Sequence, residues 1–218
     1  MKTRLLSLCA LCLLLAACGP APEEIVEEYR PRLEEHIKKM ETVSRKAGAN
    51  TAAQSAPPAD LKLTFGAGGN ARVLHAERLD EDPAFKPELD LILSDFWLTL
   101  VQDSLKGSPI QDGDAMRAAC DEVLAVQYLV IVRTLSKSEP VVMGEESFAG
   151  GSWEAEVYVC DVAKGELLGG WTVNARNDEK VTVDTSKIES WLHSNLWENA
   201  RKSVNEALAK HTSGPAIN

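Results

Sequence analysis

Residues Tyr128 to Val132 read YLVIV, five apolar side chains with no polar break. A strand solvated on one face alternates apolar and polar residues, so this run is predicted to be covered on both faces, at the centre of a sheet. Downstream, Trp153 to Asp161 does alternate, with Trp153, Ala155, Val157 and Val159 on one side and Glu154, Glu156 and Cys160 on the other. Val162-Ala163-Lys164-Gly165 then reverses the chain into Glu166 to Ala175, where Leu167, Trp171 and Val173 can face the same core. Gly169-Gly170 within the return strand marks a bulge or a close backbone approach.

Helices surround this nucleus. Ser186 and Glu189 stand in capping-box spacing at the start of a long last helix, whose Ile188, Leu192, Leu196, Ala200, Val204 and Leu208 share one face. Trp191 and Trp197 flank that stripe, and Lys210 and His211 suit its C-terminal end. Upstream, a helix is predicted over Pro87 to Leu105 and another over Asp114 to Gln127, with Asp114 as N-cap. Leu61 to Phe65 and Ala71 to Leu79 read as strands around Gly66-Ala67-Gly68-Gly69-Asn70, and Val181 to Val183 as a short further one. The expected class is α/β of the α+β type: a small mixed or antiparallel sheet with a β-hairpin, packed by helices that include a long C-terminal one.

Glu23 to Lys46 has helix-forming composition, and Val26, Tyr29, Leu33, Ile37, Met40 and Val43 recur at helical steps. Pro31 interrupts the pattern, which places the start of the regular helix near it. The polar side balances glutamates with lysines, which disfavours a basic membrane-surface helix and leaves docking on its own domain or on a partner helix. Residues 47–60, AGANTAAQSAPPAD, are small and polar and read as a flexible linker. The globular domain is assigned to 61–212 and a disordered tail to 213–218.

The N-terminus carries Lys2 and Arg4, an apolar run from Leu5 to Ala17, and then Leu15-Ala16-Ala17-Cys18-Gly19. The run of 13 residues is short of the roughly 20 that a helix needs to cross a bilayer, but suits a cleaved secretory signal. LAACG resembles the lipobox of bacterial lipoproteins. That resemblance implies cleavage between Ala17 and Cys18, a diacylglyceryl group on the Cys18 sulfur, and a membrane anchor of two acyl chains, which holds stably where one does not. Residues 1–17 are then the signal and 18–22 a lipidated tether. In Gram-negative members an aspartate after the cysteine favours the inner membrane; Gly19 stands there, which implies the outer membrane, facing the periplasm.

Loss of the first 17 of 218 residues leaves 201, ample for a buried core. Removal of Lys2 and Arg4 takes the formal charge from −10 to −12, which argues against nucleic acid or charge-driven binding to anionic lipid. Of the five cysteines only Cys120 and Cys160 remain as thiols in the mature body. In an oxidising compartment they could form a disulfide contributing about 4 kcal/mol by loop closure. Two separately buried thiols are the alternative.

Chemistry-bearing patterns are sparse. His36, His75, His193 and His211 have no metal-ligand spacing, so no metal or cofactor is expected. The glycine-rich turn at Gly66 is followed by a strand pattern and not by the helix a phosphate loop requires. Asp112-Gly113-Asp114 lacks the other oxygen ligands of a calcium loop, and Ser147 and Ser152 stand in no nucleophile elbow. No catalytic residue is named. Ser136 to Gly151 is a long connection that carries Val141, Val142, Met143 and Phe148 among turn-formers. It is either a short extra strand with its own small core or a partner-binding loop.

The order helix, buried strand, long loop, hairpin, long helix over Asp114 to His211 resembles, in topology only, the periplasmic domains of envelope-assembly lipoproteins of the curli-secretion and peptidoglycan-synthase-activator types. These readings together predict a non-enzymatic accessory lipoprotein that binds an envelope protein or the cell-wall polymer. The alternative is an envelope hydrolase or small-ligand-binding lipoprotein with a dispersed site.

Overall fold

The computed structural model describes residues 20–50, 55–66, 68–75, 96–108, 112–144, 147–180, 187–212 and 214–215. The fold is mixed α+β, as predicted; the described residues form a four-stranded mixed sheet, a separate two-stranded sheet and four helices. It divides into two compact units, residues up to Glu35 with Phe96–Leu124, and His36–Asp95 with Ala125–Asn218.

The first unit is helical. It holds the first part of α1 (Pro22–Gly48), together with α2 (Phe96–Leu105) and α3 (Gly113–Leu124). Ile25, Val26, Tyr29 and Leu33 of α1 are buried, as are Leu98, Val101, Met116, Cys120 and Val123. Tyr29 donates its hydroxyl to Asp121 at 2.9 Å and lies under the Arg117 guanidinium, which also pairs with Glu28 at 3.2 Å. The Arg30 guanidinium donates to the Leu105 carbonyl at the end of α2, 2.9 Å away. Contrary to the sequence expectation, α1 does not begin near Pro31 but runs through it. Proline removes a backbone donor and disfavours the preceding turn, yet Tyr29 and Leu33 on either side are buried, and that burial holds the helix.

Helix α3 starts at Gly113, and its cap is Asp112, not Asp114: one Asp112 carboxylate oxygen accepts from the amides of Asp114 and Ala115 at 3.0 and 3.2 Å. Asp114 is already inside the first turn, where its charge suits the helix dipole.

The second unit is the sheet, ordered β1-β2-β5-β6, with β1 (Ala71–His75), β2 (Tyr128–Ser138), β5 (Ser152–Asp161) and β6 (Glu166–Arg176). β1 runs parallel to β2 from Ala71 opposite Tyr128, and the other neighbours are antiparallel. A parallel pair needs a crossover, and residues 76–127 provide it. As the YLVIV run predicts, β2 is interior: Leu129, Val130, Ile131 and Val132 are each at most 1% exposed.

One sheet face carries Val73, Val130, Val132, Trp153, Ala155, Val157, Val159, Val173 and Ala175, packed on Leu196, Trp197, Ala200, Val204 and Leu208 of α4 (Ile188–Leu208). Trp153 and Trp197 meet edge-on at 6.4 Å, an arrangement favoured by the ring quadrupoles. The opposite face meets the second part of α1, whose Ile37, Met40, Val43 and Ala47 are buried. There Cys160 Sγ lies 4.0 Å from the Val43 carbonyl. The Arg133 guanidinium donates to the carbonyls of Gly48 and Asn50, at 2.8 Å for the latter, and to Glu156 and Tyr158. A cation on the carbonyls at a helix C-terminus closes that end and complements the helix dipole.

Several boundaries differ from the sequence expectation. Leu61 to Phe65 makes no sheet strand; Leu63 forms a single parallel bridge to Thr212. The Gly66 turn does reverse the chain, with Ala71 N–H donating to the Thr64 carbonyl at 3.0 Å. The register shifts between Val159 and Cys160, so Leu167 pairs with Cys160 on the α1 side. Leu168, not Leu167, packs on the α4 core. The N-cap of α4 is Lys187 with no side-chain cap bond, and Ser186 lies outside the described residues. The same holds for Ala17, Cys18, residues 76–95, and Val181 to Val183.

Gly169 and Gly170 make the close backbone approach, and the bulge falls beside them at Leu168. Gly169 has φ +147°, and a Cβ there would meet the Ser55 carbonyl oxygen at 2.4 Å. Gly170 N–H donates to that same carbonyl at 2.8 Å. The distal end of the segment read as a linker is therefore hydrogen-bonded along β6, with Pro57 buried.

Candidate functional site

The connection from Ser136 to Gly151 folds as a small second sheet. β3 (Val141–Gly144) pairs antiparallel with β4 (Ser147–Ala149), Val141 opposite Ala149 and Val142 opposite Phe148. A register shift between Val142 and Gly144 sets Met143 apart as the extra residue. The strand alternative considered from sequence is thus realised, yet the side chains are not sheltered. Val141 is 55% exposed, Val142 37% and Met143 65%, whereas Phe148 is half-buried.

The base of this hairpin is tied down as firmly as its tip is bare. β2 bulges between Thr134 and Ser136, leaving Leu135 unpaired and 47% exposed. The extra residue shifts the alternation, so Lys137 pairs with Trp153 and lays its ammonium over the Trp197 ring, 4.6 Å from the centroid. Lys137 also pairs with Glu139, whose other oxygen lies 3.3 Å from His193 Nδ1 on α4. Pro140 is buried against Gly151, where a Cβ would lie 2.8 Å from Pro140 Cδ and 2.7 Å from the Ser138 carbonyl oxygen. The Ser138 hydroxyl accepts from the Ser152 amide at 3.0 Å, and the Gly151 amide donates to the Asn177 side chain at 2.8 Å. Asn177 in turn donates to the Leu192 carbonyl of α4 at 2.6 Å. The apolar tip thus stands on a base held by the Lys137–Glu139 ion pair and by exposed and part-buried hydrogen bonds.

Sequence reasoning found Val141, Val142, Met143 and Phe148 but missed Lys137, Glu139, Asn177 and His193. Their only sequence signal is the bulge that turns Lys137 inward, and a bulge has no residue signature here.

A second concave region, of about 950 Å³, runs along α4 and the C-terminal segment and includes Asp178, Asn199, Lys202, Glu206 and Thr212. Of its polar side chains, Asp178, Asn195 and Asn199 hold the fold together. Asp178 accepts from Asn195 at 2.8 Å and Asn199 at 3.2 Å, and Asn199 also donates to the Arg176 carbonyl at 2.8 Å, which fastens the end of β6 to α4.

The Cys120–Cys160 disulfide considered from sequence is not formed; both thiols are free and buried. Cys120 sits on α3 and Cys160 on the α1-facing side of β5, and burial pushes their thiols up to about 11 and about 12, so both are protonated and unreactive at neutral pH. Among the described residues no cluster of three His, Cys, Asp or Glu side chains is placed to hold a metal ion, and no helix is long and apolar enough to cross a membrane.

No family model matches the chain, and no curated protein matches it. A solved structure of the hypothetical protein CT253 from Chlamydia trachomatis is similar at 10% identity and a TM-score of 0.28. That similarity covers 54% of this chain and 66%, just under two thirds, of the other, and is too slight to bear on fold or activity.

Proposed function

We propose that this chain is a membrane-anchored envelope lipoprotein, lipidated on Cys18, whose α+β body acts as a non-enzymatic accessory protein that binds a protein partner through the β3–β4 hairpin. The anchor rests on the LAACG motif and the 13-residue apolar run before it. The observation that carries the binding role is the exposed Val141-Val142-Met143 edge on an immobilised base. Three adjacent large apolar side chains held in water cost free energy that a partner surface recovers. The same composition favours a protein over the cell-wall polymer, because Val and Met offer no hydrogen bonds to a glycan.

The test uses the full chain in its native membrane. Metabolic labelling with palmitate should mark wild type and not Cys18→Ser. Crosslinking and affinity purification should recover a specific protein with wild type and lose it with V141D/M143D, while the variant's melting temperature is preserved. Recovery of the same protein at an undiminished level with V141D/M143D removes the hairpin from the reading.

A further inference from the structure

The folded body begins almost at the lipidation site. Pro20, though its side chain is exposed, already touches the fold through its backbone: a Cβ on Gly113, the first residue of α3, would fall 2.1 Å from the Pro20 carbonyl oxygen, so only glycine fits. Ala21 accepts the first helical hydrogen bonds of α1, from Glu24 at 3.0 Å and Ile25 at 3.2 Å. Ile25 and Val26 are at once in the core, 1% and 3% exposed. Between Cys18 and Pro20 there is one residue, Gly19. Consecutive Cα atoms are 3.8 Å apart, so Cys18 and Pro20 are separated by at most about 7.6 Å. Acyl chains on the Cys18 sulfur lie in the bilayer, and the sulfur itself therefore sits at headgroup level.

From this chain length we propose that the helical unit rests directly on phospholipid headgroups, with the Pro20–Gly113 contact at the bilayer surface. The proposal rests on the reading of Cys18 as lipidated and adds a fixed position to it. Among the described residues at that end the exposed ones are Pro20, Ala21, Glu23, Glu24, Asp112, Asp114 and Ala115, none of them lysine or arginine. Covalent attachment over a short span, not attraction to anionic lipid, holds this end down. A lipoprotein with a long polar tether lets its body roam tens of ångströms from the membrane. This one places its first unit at a set height.

The experiment uses the full lipidated chain, purified from membranes and reconstituted into phosphatidylcholine vesicles containing a headgroup-spin-labelled lipid. Single cysteines at exposed positions, Glu24→Cys and Asp114→Cys, carry a fluorophore; buried Cys120 and Cys160 do not compete for the label. Both labels should be quenched. Twelve Gly/Ser residues inserted between Gly19 and Pro20, with an end-to-end span of roughly 20 Å, should cut the quenching about threefold while the protein still floats with the vesicles. Flotation with unquenched labels, or with quenching unchanged by the insertion, overturns the proposal and leaves the anchor intact. Failure to float, with an unmodified Cys18 in the mass spectrum, overturns the anchor and with it the proposal.

Discussion

Val130 and Val132 in β2 are 0% and 1% exposed, whereas Val141 and Val142, further along the same stretch of chain, are 55% and 37% exposed. The side chains are identical and both pairs lie in strands, so neither composition nor backbone conformation accounts for the contrast. What differs is what lies over them. β2 is flanked by β1 and β5 and covered on one face by α4 and on the other by α1, while β3 pairs only with the three-residue β4. Burial of a valine contributes about 1.5–3 kcal/mol. The sheet collects that contribution on folding; the hairpin leaves most of it uncollected in the folded chain. The bulge at Leu135 marks where the strand passes from one regime to the other.

Substitutions that test this contrast fall into a graded series. Trp153→Ala empties the centre of the sheet–α4 core beside Trp197 and should lower stability by about 3–5 kcal/mol, read from denaturant midpoints. A loss below 1 kcal/mol would mean the core is not where the two regimes separate. Gly169→Ala forces a side chain into the Ser55 carbonyl at a positive φ and should cost about 1–3 kcal/mol by the same measurement. Proteolysis within residues 47–60 should quicken in parallel, because the segment loses its seat on β6.

Asp161 closes the β5–β6 turn. Burial alone raises its carboxyl, but the Lys164 amide at 2.9 Å, the Lys164 ammonium and the Ala163 amide more than offset this and hold it below the usual aspartate range. A carboxyl depressed in the folded state stabilises the fold above the unfolded pKa and ceases to do so as pH falls through the folded value. Asp161→Asn should therefore destabilise at pH 7 by about 1 kcal/mol, and the gap to wild type should close as the pH is lowered beneath the aspartate range. A gap independent of pH would assign the effect to packing. At the foot of the series, V141D/M143D should change stability by no more than about 0.5 kcal/mol, as exposed positions do, while abolishing partner recovery. A large loss of stability there would make the hairpin part of the core and erase the comparison.

Much of this was legible from one-dimensional patterns because the governing periods are short. YLVIV announced a doubly buried strand, the alternation from Trp153 announced a strand with one apolar face, and the stripe from Leu192 to Leu208 announced the closing helix; that β5 is covered on its other face as well, at Tyr158 and Cys160, was not visible. What escaped depended on single-residue offsets. The bulge at Leu168 exchanged Leu167 for Leu168 in the core, the bulge at Leu135 turned Lys137 onto Trp197, and the α3 cap moved from Asp114 to Asp112. The two bulges are set by packing against residues distant in the chain, which no local window contains, whereas the cap is a local choice between two aspartates two residues apart. The candidate site was half visible for the same reason: Val141, Val142 and Met143 stand out as apolar residues in a polar connection, but Glu139, Asn177 and His193 are joined to it only in three dimensions.

By itself the sequence determined the main strands β2, β5 and β6 and the helices α1, α3 and α4 to within a few residues, since hydrophobic period and chain length are local properties, and it placed Cys18 with one residue between it and Pro20. Only the tertiary structure decided which valines are covered and which remain in water, how the Lys137–Glu139–His193 relay steadies the hairpin, and that Pro20 is seated on Gly113. These depend on contacts between distant residues, and their free energies exist only once the layers have packed.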